Sequence, residues 1–198
     1  MAELALRGAL QARRISPPGP GLWWKLRNWR AIVPGLAREA VARTLGIAHV
    51  RGRLYARLLR ADGSAVDYGL VSTKLITTAF VNCVVDSLQA VVAQWDNFCY
   101  HDSGVGTTAA AVGDTSMETV ITDNLRTAGT QVEAAANIYQ SVGTIAYTTT
   151  KAVTEHGLFN DTRANAGILM DRHVFAAINV VSGDSIQFTY SLTVTSGG

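Results

Sequence analysis

His101-Asp102-Ser103 sets the three residue types of an acyl-transfer triad side by side. A working triad needs those side chains brought together in defined roles, with the nucleophile beside an oxyanion hole. Adjacency along the chain works against that, and no Gly-x-Ser-x-Gly elbow occurs. Glu155-His156 and Asp171-Arg172-His173 hold metal-ligand types. On a strand, however, neighbouring side chains face opposite ways, so Glu155 and His156 do not converge on one ion. His156 and His173 meet only if their strands pair, and a metal shared at an oligomer axis is the one arrangement that would use them. Glu155 and Arg172 are better read as opposite charges pairing across the same two strands. Gly104-x-Gly106 runs into Thr107-Thr108 rather than Gly-Lys-Ser/Thr, so it is no phosphate loop. Cys83 and Cys99 lack both CxxC and zinc spacing and read as buried free thiols. Asn160-Asp161-Thr162 fits the glycosylation pattern, but nothing else marks a secretory route. The chain is therefore expected to be no enzyme, with no catalytic residues, metal or cofactor.

The elements that would carry these residues are mostly strands. Leu54, Ala56 and Leu58 alternate with Arg53, Tyr55 and Arg57, and Ala61-Asp62-Gly63-Ser64 signals a hairpin turn into Val66–Val71. Residues 77–92 switch to a period of three and four through Phe80, Val81, Val84, Val85 and Leu88, which predicts a helix capped by Thr77 or Thr78. Beyond it, short strands are predicted at 97–101, 136–148, 152–159 and 168–175, with a loop over 102–107 and polar turns at 160–167 and 182–185. The last strand is clearest: Ile186, Phe188, Tyr190, Leu192 and Val194 alternate strictly with polar residues. Many short strands with a single inserted helix predict a mainly β chain, an antiparallel sandwich or jelly-roll-like body over 51–198.

Residues 1–50 read as an extended basic arm. Pro17-Pro18-Gly19-Pro20-Gly21 is a linker that cannot continue a helix. Leu22, Trp23, Trp24, Leu26 and Trp29 follow, interleaved with Lys25, Arg27 and Arg30. After Pro34-Gly35, a short helix is predicted at 36–45, with Leu36, Ala40, Val41, Thr44 and Leu45 on one face. Trp and Arg dominate binding hot spots, so Trp23, Trp24, Arg27, Trp29 and Arg30 are the candidate partner-binding residues. Three readings stay open: these tryptophans fill a groove on a neighbouring subunit, they pack on their own body, or the stretch is an amphipathic helix lying on a membrane surface.

Charge supports an assembly role. Residues 1–60 hold twelve Lys/Arg and two acids, giving +10, whereas residues 61–198 hold five and thirteen, giving −8. One sign on the arm and the other on the body is the pattern of electrostatic docking. Charged residues make up 16% of the chain, against about 25% in ordinary soluble domains, as expected where surface meets other protein. No stretch reaches the roughly 20 apolar residues of a membrane helix, and no apolar signal core is seen. An acidic body implies no continuous nucleic-acid groove, although Trp/Arg interleaving is the motif that would stack bases and hold phosphates.

Tyr100-His101-Asp102-Ser103-Gly104 with Gly106-Thr107-Thr108, then Thr154-Glu155-His156-Gly157-Leu158-Phe159, Asp171-Arg172-x-Val174-Phe175 and Ser182–Tyr190 together resemble a recurrent family of tailed-bacteriophage virion proteins. With Leu54–Phe80 the resemblance spans roughly two-thirds of the chain. It implies a capsid cement, or decoration, protein: a jelly roll made in the host cytoplasm and seated as a homotrimer on the capsid surface, clamping adjacent copies of the major capsid protein. The same modules occur in tails, so a collar, connector or fibre-base component is the alternative. A carbohydrate-binding module fits a jelly roll but lacks a sugar-site cluster in the body. On this reading, removing residues 1–33 should abolish attachment and leave a folded body.

Overall fold

The computed structural model describes residues 17–74, 76–88, 98–122, 125–164 and 166–196. Two antiparallel sheets face one another. The strands are β1 (His49–Leu59), β2 (Ala65–Lys74), β3 (Tyr100–Gly104), β4 (Thr127–Ala128), β5 (Thr130–Ala135), β6 (Ile138–Ala146), β7 (Lys151–Phe159), β8 (Leu169–Val180) and β9 (Ser185–Thr195). One sheet runs β2-β1-β9-β6-β5 and the other β4-β3-β7-β8. The expected mainly β sandwich is thus observed. Its interior is built by alternation: Leu54, Ala56 and Leu58 on β1 and Ile186, Phe188, Tyr190 and Leu192 on β9 point inward against Leu158, Phe175 and Ile178. Val194, expected inward, is exposed.

Several boundaries move. β3 continues through Asp102 and Ser103 to Gly104, where the sequence predicts a loop, because Ser103 pairs with His156 and Gly104 with Glu155. β4 and β5, between 127 and 135, were not predicted at all. β5 is exposed along its whole length, so it carries no inward-facing apolar period to read. The inserted helix, α2 (Thr78–Leu88), starts where expected, with Thr77 Oγ1 accepting the Phe80 N–H. Positions 89–92 of the expected helix lie outside the described residues.

The largest correction concerns the arm. Its residues 1–16 lie outside the described residues. From Leu22 onward the chain is neither extended nor limited to a short helix at 36–45, but one helix, α1 (Leu22–Thr44), passing through Pro34. It covers the side of the sandwich where β2 and β8 form the two sheet edges. Edge strands present unpaired backbone groups that need covering, and α1 supplies polar side chains to do it. Asn28 Nδ2 donates to the Val71 carbonyl on β2 at 2.8 Å, while Asn28 Oδ1 accepts the Ala176 N–H on β8 at 2.8 Å. Thr73 Oγ1 donates to the Ile32 carbonyl, and Gly35 sits so close to β2 that a Cβ would collide with the Thr73 side chain. Glu39 accepts from Arg53 at 3.0 Å and pairs with Arg51 and Arg43. Burial alone would raise the Glu39 carboxyl, yet the Arg53 and Arg51 guanidiniums hold it below its ordinary value.

Candidate docking surface

Five residues were singled out at the N-terminal end of α1, and the helix divides them. Trp24 turns inward: its indole Nε1–H lies 3.1 Å from the Ala176 carbonyl and 3.0 Å from that of Ala177, and its ring meets Tyr68 edge-on at 4.7 Å. It therefore belongs to the chain's own body. Trp23 and Trp29 face solvent, 77% and 51% exposed, and Arg27 and Arg30 are exposed beside them. The Arg30 guanidinium lies 5.8 Å from the Trp29 ring centroid.

The outward face extends beyond those residues. Leu22, Leu26, Trp29, Val33 and Leu36 are all exposed, and their spacing alternates four and three, the repeat that keeps one helical stripe facing a partner. Lys25, Arg27, Arg30 and Arg38 flank the stripe. Both described residues that α1 buries fully, Asn28 and Glu39, are polar. The helix is thus inverted relative to an ordinary surface helix, with its polar side chains stitched to sheet edges and its apolar stripe in water. The apolar face read at 36–45 is this outward face: Leu36, Val41 and Leu45 are exposed.

The chemistry-bearing residues of β3, β7 and β8 fall into two layers. On the outer face of the four-stranded sheet, Glu155 receives the backbone N–H groups of Gly106, Glu118 and Thr119 and the Arg172 Nε at 2.5 Å. Arg172 also reaches Asp114 at 3.0 Å and Glu118 at 3.2 Å. Asp102 pairs with Arg126 at 3.1 Å, and Arg126 donates to the carbonyls of Asp161 and Ala166 and lies over the Phe159 ring. Burial lifts the Asp102 carboxyl above its ordinary value even though Arg126 pulls it down. These pairs fasten residues 105–122, and Arg126, over the sheet. The expected Glu155–Arg172 pair is present, reached diagonally, since Glu155 opposes Val174 in register. Asn160, the first residue of the glycosylation pattern, is buried and accepts the Ile168 N–H.

Between the sheets lies a polar chain that alternation alone does not reveal. Ser141 Oγ lies 2.8 Å from His101 Nε2, and His101 Nδ1 lies 2.9 Å from His156 Nε2. His156 opposes His173 directly in the β7–β8 register, with rings 6.3 Å apart. His173 Nε2 comes within 3.1 Å of Asp171 Oδ2, which also accepts from Tyr190 OH at 3.3 Å. Glycines 52, 129 and 143 make room, because a Cβ at each would strike Asp171 or His101. Burial pushes the His101 imidazole down to about 3. It drives His156 far below its usual value, aided by His101 and His173, and with the Asp171 charge it drives the Tyr190 phenol far up. All three histidines are sealed from solvent, so Ser103, which bonds Tyr147 instead, forms no triad with His101 and Asp102. Cys83 and Cys99 carry free thiols, the first buried and the second half-buried. Among the described residues no group of three or more His, Cys, Asp or Glu is arranged to hold a metal, and no helix is long and apolar enough to cross a membrane.

Compared with family models, with curated proteins and with solved structures, the chain matches none.

Proposed function

We propose that this chain is a non-enzymatic structural protein of a tailed-phage virion, which seats on the assembled capsid through the outward face of α1 and holds neighbouring copies of the major capsid protein together. The observation that carries this reading is the solvent-facing stripe of Leu22, Leu26, Trp29, Val33 and Leu36, with Trp23 beside it and Lys25, Arg27, Arg30 and Arg38 at its margins. An exposed aromatic stripe on a well-seated helix has a high free energy in water and a low one in a groove. Its margins call for a groove whose rim is acidic. The buried clusters support the same reading from the other side, since Glu155, Arg172, Asp102 and Arg126 are consumed in fastening residues 105–122 to the sheet.

The mechanism is linkage. A protein that binds only the assembled shell stabilises that state by its binding free energy, and many copies in a homotrimeric array add their contributions through multivalency. The test is a count of this chain in purified particles grown from the genome that encodes it. Hundreds of copies per particle are expected; six or twelve would move it to the tail or head–tail junction, and none would end the virion reading.

A further inference from the structure

Among the described residues, β5 is an uncovered sheet edge. It closes the five-stranded sheet on the side opposite β2, and every residue from Thr130 to Ala135 is exposed. The outer edges of β2 and β8 are met by α1, and the edge strand β4 is only two residues long. A long open edge offers a row of unpaired N–H and C=O groups to any other strand, and proteins usually guard it with Lys, Pro or a cluster of charge. β5 has neither Lys nor Pro, and between Arg126 and Lys151 the sequence carries a single charge, Glu133. Its pairing with β6 is regular over Thr130–Glu133, and the register slips only between Glu133 and Ala135. Most of the edge is thus a regular template for a further strand.

Neutrality selects the occupant. A strongly basic or acidic strand finds no matching charge pattern here, whereas the same edge of a second copy is equally neutral and lets two acidic bodies meet where neither is charged. A two-fold axis normal to the sheet pairs residues of the same face, so it must centre on one residue of β5. Centring on Glu133 sets two carboxylates opposite each other, which is destabilising. Centring on Gln131 spends Glu133 on Gly129 and Val132 on Thr130. Centring on Val132 matches valine with valine and gives each Glu133 a donor, because Gln131 Nε2 uses one hydrogen on Tyr139 OH at 3.0 Å and keeps a second. We infer that β5 is a self-association edge, pairing antiparallel with β5 of a second copy so that Val132 opposes Val132, Gln131 opposes Glu133 and Thr130 opposes Ala134. The inference goes beyond the capsid reading and stands without it; in a homotrimeric array this contact links one trimer to the next.

The experiment is sedimentation equilibrium of the full chain over about a hundredfold range of concentration. An even-numbered assembly is expected, and Val132→Lys, which sets two ammonium groups at the axis, should halve its mass. Val132 is 45% exposed, so that variant should keep the wild-type melting midpoint. Register is read separately by cross-linking in a Cys99→Ala background, which removes the half-buried thiol. Directly opposed residues bring their Cα atoms to about 4.5–5.5 Å, within disulfide reach. Val132→Cys should therefore link into a dimer under mild oxidation and Thr130→Cys should not, whereas Thr130→Cys combined with Ala134→Cys should. The cross-links carry the test if Val132→Lys misfolds. A wild-type chain that stays monomeric or trimeric, a mass unchanged in Val132→Lys, or Thr130→Cys linking as readily as Val132→Cys overturns the inference. A mass lowered by Trp23→Ser with Trp29→Ser but not by Val132→Lys would assign self-association to α1 and overturns it as well.

Discussion

Asn28 has one side-chain amide and satisfies two sheet edges with it. Its Nδ2 serves the Val71 carbonyl and its Oδ1 the Ala176 N–H, at a site 1% exposed. Replacing it by Ala leaves a carbonyl and an amide hydrogen without partners, and an unmade buried hydrogen bond costs more than a made one contributes. Asn28→Ala is therefore expected to lose about 2–4 kcal/mol in urea unfolding, with α1 releasing from both edges. Glu155 works the same way on the opposite surface, gathering three N–H groups and Arg172. Removing one partner of a buried charge pair costs on the order of 3 kcal/mol. Glu155→Gln should show that loss together with faster hydrogen exchange at the Gly106, Glu118 and Thr119 amides, while amides of β1 and β9 stay protected. Unchanged exchange at those three amides would mean that the carboxylate does not hold the segment.

At the scale of elements, strands whose apolar residues alternate were legible and α1 was not. β1 and β9 each bury one face, and that face is written in the sequence as Leu54, Ala56, Leu58 and Ile186, Phe188, Tyr190, Leu192. α1 defeats the same logic because its buried positions are Asn28 and Glu39 and its apolar stripe faces water, so a search for an apolar inner face finds only the wrong side, and Pro34 hides the continuity. The candidate site was half legible. Composition located Trp23, Arg27, Trp29 and Arg30, but only the helical phase shows that Trp24 belongs to the body and that Leu22, Leu26 and Val33 complete the stripe. The histidine chain was foreseen in one link, His156 opposite His173. His101 and Ser141 come from strands far apart in sequence, and no spacing joins them. Seating of α1 also depends on Gly35. Gly35→Ala should cost about 1–3 kcal/mol through its collision with Thr73, measured as a lowered urea midpoint.

For the molecule as a whole, the sealed histidines set an acid limit. Burial pushes His101 down to about 3 in the folded chain, against about 6.5 when unfolded, and holds His156 well below its usual value too. Between those values the unfolded state binds protons that the folded state refuses. Stability is thus complete above about pH 6.5 and falls as pH drops towards 3, by roughly 1.4 kcal/mol per pH unit for each histidine. His156→Leu should flatten that limb by one proton's slope in urea midpoints taken from pH 7 to 4, and an unchanged slope would show that His156 is protonated in the folded state. The corrected place of α1 also changes how docking must be probed. Deleting residues 1–33 removes Trp24 and Asn28, which the body needs, so loss of attachment in that deletion would not separate docking from folding. The direct measurement is shell occupancy by the full chain carrying Trp23→Ser, Trp29→Ser, Arg27→Glu and Arg30→Glu, recorded beside its melting midpoint. A midpoint within a few degrees of the wild-type chain and shells left bare are expected. Shells decorated to wild-type occupancy by that variant would contradict docking through this face.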